Sequence, residues 1–157
     1  SCGKVTYTAT TRGSSKHKYV ISIDPASEND KFSITVLELH GDHQRIVYAW
    51  TSTRKLHQEY IKAGLTKEND FYHFCARKIR ELMRSFNCDA IGIDGQGGGI
   101  AVEEALKDTD KIGQGEVAIL PIIEDGCPKP TDDMPGKHIL HVFQFADING
   151  SQKLIMV

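Results

Sequence analysis

One stretch limits the folds open to this chain more than any other: Ala90-Ile91-Gly92-Ile93-Asp94-Gly95-Gln96-Gly97-Gly98-Gly99. Its apolar run, bounded by Asp89 and Gly95, predicts a short buried strand. The strand ends on a carboxylate, Asp94, and glycines follow at once. Glycines let a backbone turn tightly and come close to a ligand, and a helix is predicted from Ile100 onward. Open α/β sheets bind ligands just outside the carboxyl ends of their strands. A carboxylate is seldom buried without a partner, so Asp94 at a strand tip calls for a cation.

A second strand in the chain ends the same way. Residues 19–24 are rich in β-branched apolar side chains and stop on Asp24, where Pro25 cannot extend a ladder. Residues 26–31 form a polar turn holding Asp30. Residues 32–39 and 45–50 predict two more strands, joined by the turn residues 40–44. Three strands with short polar connections predict an antiparallel meander. Residues 55–63 have helical potential that Gly64 interrupts. Residues 69–86 predict a helix, with Phe71, Phe74, Cys75, Ile79, Leu82, Met83 and Phe86 on one stripe and Asn69 or Asp70 as its cap. Arg77, Lys78, Arg80 and Arg84 fall off that stripe and read as a solvated basic face. Beyond the opening stretch come a short helix to residue 107, a loop at 111–115 and a strand at 117–122. A long, mobile surface loop at 123–137 and a strand at 138–145 follow. The order predicts a mixed α/β sheet with helices laid on it.

A chain of 157 residues suits one domain, burying about 70% of its unfolded surface. Residues 1–17 read as a lead-in to a domain spanning 18–157. The net charge of −2 announces no global basic field. No apolar run approaches the ~18 residues of a membrane span, and the first residues do not form a signal peptide. They read as the start of an excised fragment, and the apolar end at 147–157 reads as cut. None of the four cysteines, Cys2, Cys75, Cys88 and Cys127, has zinc-ligand spacing. Cys75, on a helix's apolar face, and Cys88, beside a strand start, read as small buried hydrophobes, and a reducing cytoplasm fits better than secretion.

Two close carboxylates repel, and a divalent cation removes the conflict. If the strands ending on Asp24 and Asp94 are neighbours, both aspartates face one crevice. Aspartate is also a common turn former. Two of them, each at a strand end before a breaker, favour a shared cation over two independent turns. Oxygen ligands without a suitable Cys/His set favour Mg²⁺ or Mn²⁺. Two such ions ~4 Å apart can activate a water and stabilise a leaving phosphodiester oxygen. Asp30 is close enough in sequence to join them as a metal ligand. The glycine run is neither a dinucleotide fingerprint nor a P-loop. Gly97 and Gly98 leave room for a nucleic-acid backbone. Lys16 and Lys18 are candidate phosphate contacts in a cluster with His17 that also reads as solvated loop. The pairs His40/His43 and His138/His141 are poor metal clamps, because residues three apart on a strand face opposite ways. His40/His43 reads as a solvated turn.

The order of a meander beginning at Asp24, helix, strand ending at Asp94 and helix resembles the RNase H-like, or retroviral-integrase-like, superfamily. More narrowly, Ile23-Asp24-Pro25-Ala26 with Asp30, then 32–39, resembles the nuclease domain of tailed-phage terminase large subunits. So do Ile91 to Gly99 with the helix to Leu106, and residues 138–147 ending Gln144-Phe145-Ala146-Asp147. The resemblance covers most of residues 19–149. It implies an RNase H-like mixed β-sheet and an endonuclease that cuts concatemeric double-stranded viral DNA with two Mg²⁺ or Mn²⁺ ions. Asp24 and Asp94 match catalytic, metal-holding positions, and Asp30 a further acidic one. The family's third principal carboxylate lies on a helix beyond residue 157, for which Asp147 is a weak stand-in. The resemblance further implies an ATPase domain, a portal and a small terminase subunit as partners, no membrane, and the host cytoplasm as location. No Walker motif occurs here, so the ATPase domain is expected to be absent from this chain. A Holliday-junction resolvase and a non-catalytic RNase H-like binding module are the alternatives.

Overall fold

The computed structural model describes residues 9–25, 31–112, 115–123, 136–148 and 151–156, with side chains at 9–25, 31–111, 115–123 and 136–143. Three strands open the fold: β1 (Lys18–Asp24), β2 (Phe32–His40) and β3 (His43–Ser52). They pair as the predicted antiparallel meander, β1 with β2 and β2 with β3. Helices α1 (Arg54–Lys62) and α2 (Phe71–Ser85) follow, then β4 (Cys88–Asp94) and α3 (Gly99–Lys107). The chain continues through α4 (Thr109–Ile112), β5 (Ala118–Pro121), β6 (Gly136–Ile148) and β7 (Ser151–Met156).

The sheet order is β3-β2-β1-β4-β6-β5, and β7 pairs with β6. β1, β4, β6 and β5 run parallel, while β7 returns antiparallel along β6. A meander whose first strand sits centrally beside parallel strands is the RNase H-like arrangement. The mixed α/β fold class is as expected from the sequence.

Alternation along the strands sorts the faces. Tyr19, Ile21 and Ile23 of β1, Phe32, Ile34 and Val36 of β2, Ile91 and Ile93 of β4 and Leu140 of β6 are all buried. They share one core with Phe71, Cys75, Ile79 and Leu82 of α2 and Val102, Ala105 and Leu106 of α3. Each helix follows its apolar stripe onto this face. Asp70 caps α2, its carboxylate accepting the His73 N–H at 2.9 Å. Thr53 caps α1 in the same way through the Leu56 N–H at 3.1 Å. Gly64 takes φ +71° just past α1, the left-handed turn that interrupts the helix.

Several expectations change. The loop predicted at 111–115 begins as helix, because the Asp108 carboxylate accepts the Lys111 N–H at 3.2 Å and so starts α4. Of the predicted loop at 123–137, residues 124–135 lie outside the described residues, but Gly136 and Lys137 belong to β6 and pair with Ala118 and Ile119. Gly136 suits that place: Leu120 and the Ala118 carbonyl come within 3 Å of where a β-carbon would sit.

The basic face of α2 is not simply solvated. Arg80 is only 6% exposed and donates to the Leu106 and Val117 carbonyls at 2.9 and 2.8 Å. It also reaches Glu116, which Arg84 engages too. Arg77 pairs with Glu68, and Lys78 with Glu81. The buried guanidinium ties α2 to the end of α3, a role helical spacing does not disclose. Cys75 is buried as expected, whereas Cys88, at the start of β4, is only half-buried; its burial still pushes the thiol up to about 12.

Candidate metal centre

β1 and β4 are hydrogen-bonded neighbours, with Ile21 opposite Ile91 and Ile23 opposite Ile93. The next residue on each strand is an aspartate. Asp24 and Asp94 therefore lie side by side at the carboxyl ends of two central parallel strands, whose backbones run about 4.8 Å apart. They alternate away from the buried isoleucines, so they belong to the face opposite α2 and α3. Asp24 is exposed and Asp94 half-buried. Among the described residues neither forms an ion pair.

The backbone around Asp94 is held closely. The Gly95 N–H donates to the Phe143 carbonyl at 2.7 Å, and the Gln96 N–H donates to Asp94 Oδ1 at 2.9 Å. Gly97 takes φ +56°, and the chain then enters α3 at Gly98, which caps the helix without a side chain. Gly99 packs its α-carbon against Asp94. A β-carbon there would collide with the Asp94 carbonyl oxygen and stand 3.1 Å from its carbon. The glycine run is thus a tight strand-to-helix turn that requires glycine at 97 and 99. Gly97 is exposed, and Gly98 is buried.

The other predicted site residues fall elsewhere. Asp30 lies outside the described residues. Asp147 is in β6, four residues beyond Phe143, the register partner of Asp94, or about 13 Å along the strand. Lys16 and Lys18 are exposed at the amino end of β1, about 20 Å from Asp24. Among the described residues no third His, Cys, Asp or Glu joins Asp24 and Asp94 in a metal-sized cluster.

No family model and no curated protein matches this chain. Two solved structures are similar to it. One is the large terminase of bacteriophage HK97, at 17% identity and TM-score 0.44, over 68% of this chain and 24% of that one. The other is a Ppx/GppA family member from Aquifex aeolicus, at 11% identity and TM-score 0.41, over 82% of this chain and 35% of that one. The chain thus spans about a quarter and about a third of their lengths. Likenesses at these scores assign no activity, and the site stands on its own residues.

One cluster escaped sequence reasoning. His17, Glu38 and His40 bring their donor atoms within 4.8 Å of one another. The missing information was register: Lys18 pairs with Leu39, so one step further His17 comes opposite His40. The His40/His43 turn is exposed at residues 41–44, as a solvated turn predicts, while His40 itself is half-buried. The two rings stack with centroids 5.1 Å apart, and His40 hydrogen-bonds Glu38 at 2.6 Å. In the other pair, His138 meets the Pro121 carbonyl at 2.8 Å through Nδ1, while the ring of His141 stacks on Phe143.

Proposed function

We propose that this chain is the nuclease domain of a phage-type terminase large subunit, hydrolysing phosphodiester bonds of double-stranded DNA with Mg²⁺ or Mn²⁺. The observation that supports this reading is the side-by-side placement of Asp24 and Asp94 at the carboxyl ends of neighbouring parallel strands. The donor set fits hard divalent ions: two aspartates that no third His or Cys joins in a metal-sized cluster among the described residues, with Asp94 Oδ1 taking the Gln96 N–H. Such ions, when bound, supply a nucleophilic water and neutralise charge on the leaving oxygen.

The chain's own contribution is placement and charge. The parallel ladder fixes the spacing of the two carboxylates. The Gly99 contact and the Gly95–Phe143 hydrogen bond fix the backbone that carries Asp94. The first turn of α3 has no side-chain cap; the Gly99 N–H donates to the Gln96 carbonyl at 3.0 Å, and exposed Ile100 opens the turn that would face a DNA phosphate. Contacts made mainly to phosphates imply little sequence preference. In this reading Asp30 assists as a ligand, and Gly97 and Gly98 admit the DNA backbone. Partners are an ATPase domain, a portal and a small terminase subunit, and the location is the host cytoplasm. Lys16 and Lys18 would meet DNA only well away from the cutting site.

Nicking of supercoiled plasmid in Mn²⁺ tests the reading. Asp94→Ala should abolish nicking while circular dichroism stays that of the parent; cleavage that survives this substitution sinks the assignment. Preference for four-way junctions over linear duplex would move the chain to the resolvases. Calorimetry showing no Mn²⁺ binding by the parent would make it a non-catalytic module.

A further inference from the structure

We propose that His17, Glu38 and His40 form a second metal site, selective for a zinc-class transition-metal ion, at the opposite end of the sheet from Asp24 and Asp94. The site grows from the β1–β2 ladder. Glu38 and His40 are two apart on β2 and so share a face. His17, just before β1, comes opposite His40, and their ring centroids are 4.6 Å apart. All three donor atoms lie within 4.8 Å of one another. Two imidazoles and a carboxylate are a zinc donor set that leaves a fourth position for water. Mg²⁺ and Mn²⁺ favour oxygen-rich sets, so the two centres differ in the ion they take.

Glu38 is prepared for a cation. It is 4% exposed. Tyr19, His40 and Arg45 are arranged around its two oxygens. The Tyr19 hydroxyl donates to Glu38 Oε2 at 2.9 Å and itself accepts the Ser14 N–H at 2.7 Å. Supporting groups of this kind orient a metal-ligating carboxylate. The exposed ring of His43 stacks within 9° of parallel on His40 without offering a donor to the cluster. Binding exchanges the His40–Glu38 hydrogen bond and the Arg45 contact at 3.2 Å for metal bonds. The Arg45 side chain is 64% exposed and can turn into solvent. The ion would pin the segment before β1 to the β2–β3 hairpin.

Titration calorimetry of the full chain with zinc chloride tests the site, with Co²⁺ absorption as a second readout. One zinc per chain is expected, with tetrahedral Co²⁺ bands. His17→Ala and His40→Ala should each weaken zinc by more than the roughly 10–100-fold that losing a supporting group costs. Both should erase the Co²⁺ bands while circular dichroism is unchanged. His43→Ala, which leaves all three ligands, should keep the zinc. The proposal is overturned if the parent binds no stoichiometric zinc, or if His17→Ala binds as the parent does. It is equally overturned if His43→Ala loses as much as His17→Ala. Because no step depends on Asp24 or Asp94, the outcome is separate from that of the nuclease assay.

Discussion

At its carboxyl end β1 presents an exposed aspartate beside a second one on β4; at its amino end it is flanked by a buried glutamate between two imidazoles. The first pair comes from a parallel ladder and lies on the face away from the helices. The second cluster comes from an antiparallel ladder and closes the edge of the helix-covered core. Glu38 is held by Tyr19, His40 and Arg45, whereas among the described residues Asp24 and Asp94 have no ion pair. A buried carboxylate must be satisfied within the fold, since leaving it bare costs several kcal/mol. An exposed carboxylate such as Asp24 is hydrated and needs no partner within the fold. One carboxylate is satisfied by donors of the fold itself, whereas the other two have no charged partner among the described residues.

The two ends can be set against each other by substitution. Asp94→Asn should have the largest effect, lowering Mn²⁺-dependent nicking by about 100-fold or more, the scale of several kcal/mol of charge stabilisation. Its melting temperature and zinc titration should match the parent's. A large loss of stability would mean that Asp94 belongs with Glu38 as a structural group.

Glu38→Gln should come next, costing about 1.5–3 kcal/mol in urea unfolding through its charge-assisted hydrogen bonds. The pH dependence has a definite sign. Glu38 titrates below its ordinary value of 4.5 in the folded chain, so its stabilisation is complete above that value. The stabilisation is lost as pH falls from 4.5 through the lower folded value. The gap between parent and variant should therefore shrink in that acid window. A gap that widens on acidification would contradict the ionised, hydrogen-bonded glutamate.

Two glycine substitutions sharpen the contrast further. Gly99→Ala drives a β-carbon into the Asp94 carbonyl and should cost about 1–3 kcal/mol, as overpacking does. Because the strained atom belongs to Asp94, nicking should fall more steeply than thermal stability. Gly41→Ala, in the β2–β3 turn at φ +54° with open space around it, should cost about 1–2 kcal/mol from backbone conformation alone. Nicking should be unchanged at a temperature where the variant is folded. Equal losses of nicking in the two glycine variants would show that Gly99 acts only through stability.

The acidic strand tips were legible because their signals are local. Alternating β-branched residues stop at Asp24 before Pro25, and an apolar run stops at Asp94 before Gly95. The stripe of α2 was legible for the same reason, since helical period is written within 15 residues. The burial of Arg80 was not, because its partners, the Leu106 and Val117 carbonyls, lie 26 and 37 positions away.

By itself the sequence determined β1 to β5, the body of β6, helices α1 to α3 and the placement of an aspartate at the tip of two strands, but neither α4 nor β7. Periodicity, β-branching and turn chemistry act between near neighbours, so they can be read without a fold. Only the tertiary structure decided that β1 lies beside β4, which turns two strand ends into one pair of carboxylates. It alone placed β6 between β4 and β5. It also brought His17 across from His40, through a ladder register that no local pattern states. The physical reason is common to all three. Backbone pairing and side-chain burial are settled by which distant segments fill one another's hydrogen bonds and exclude water together.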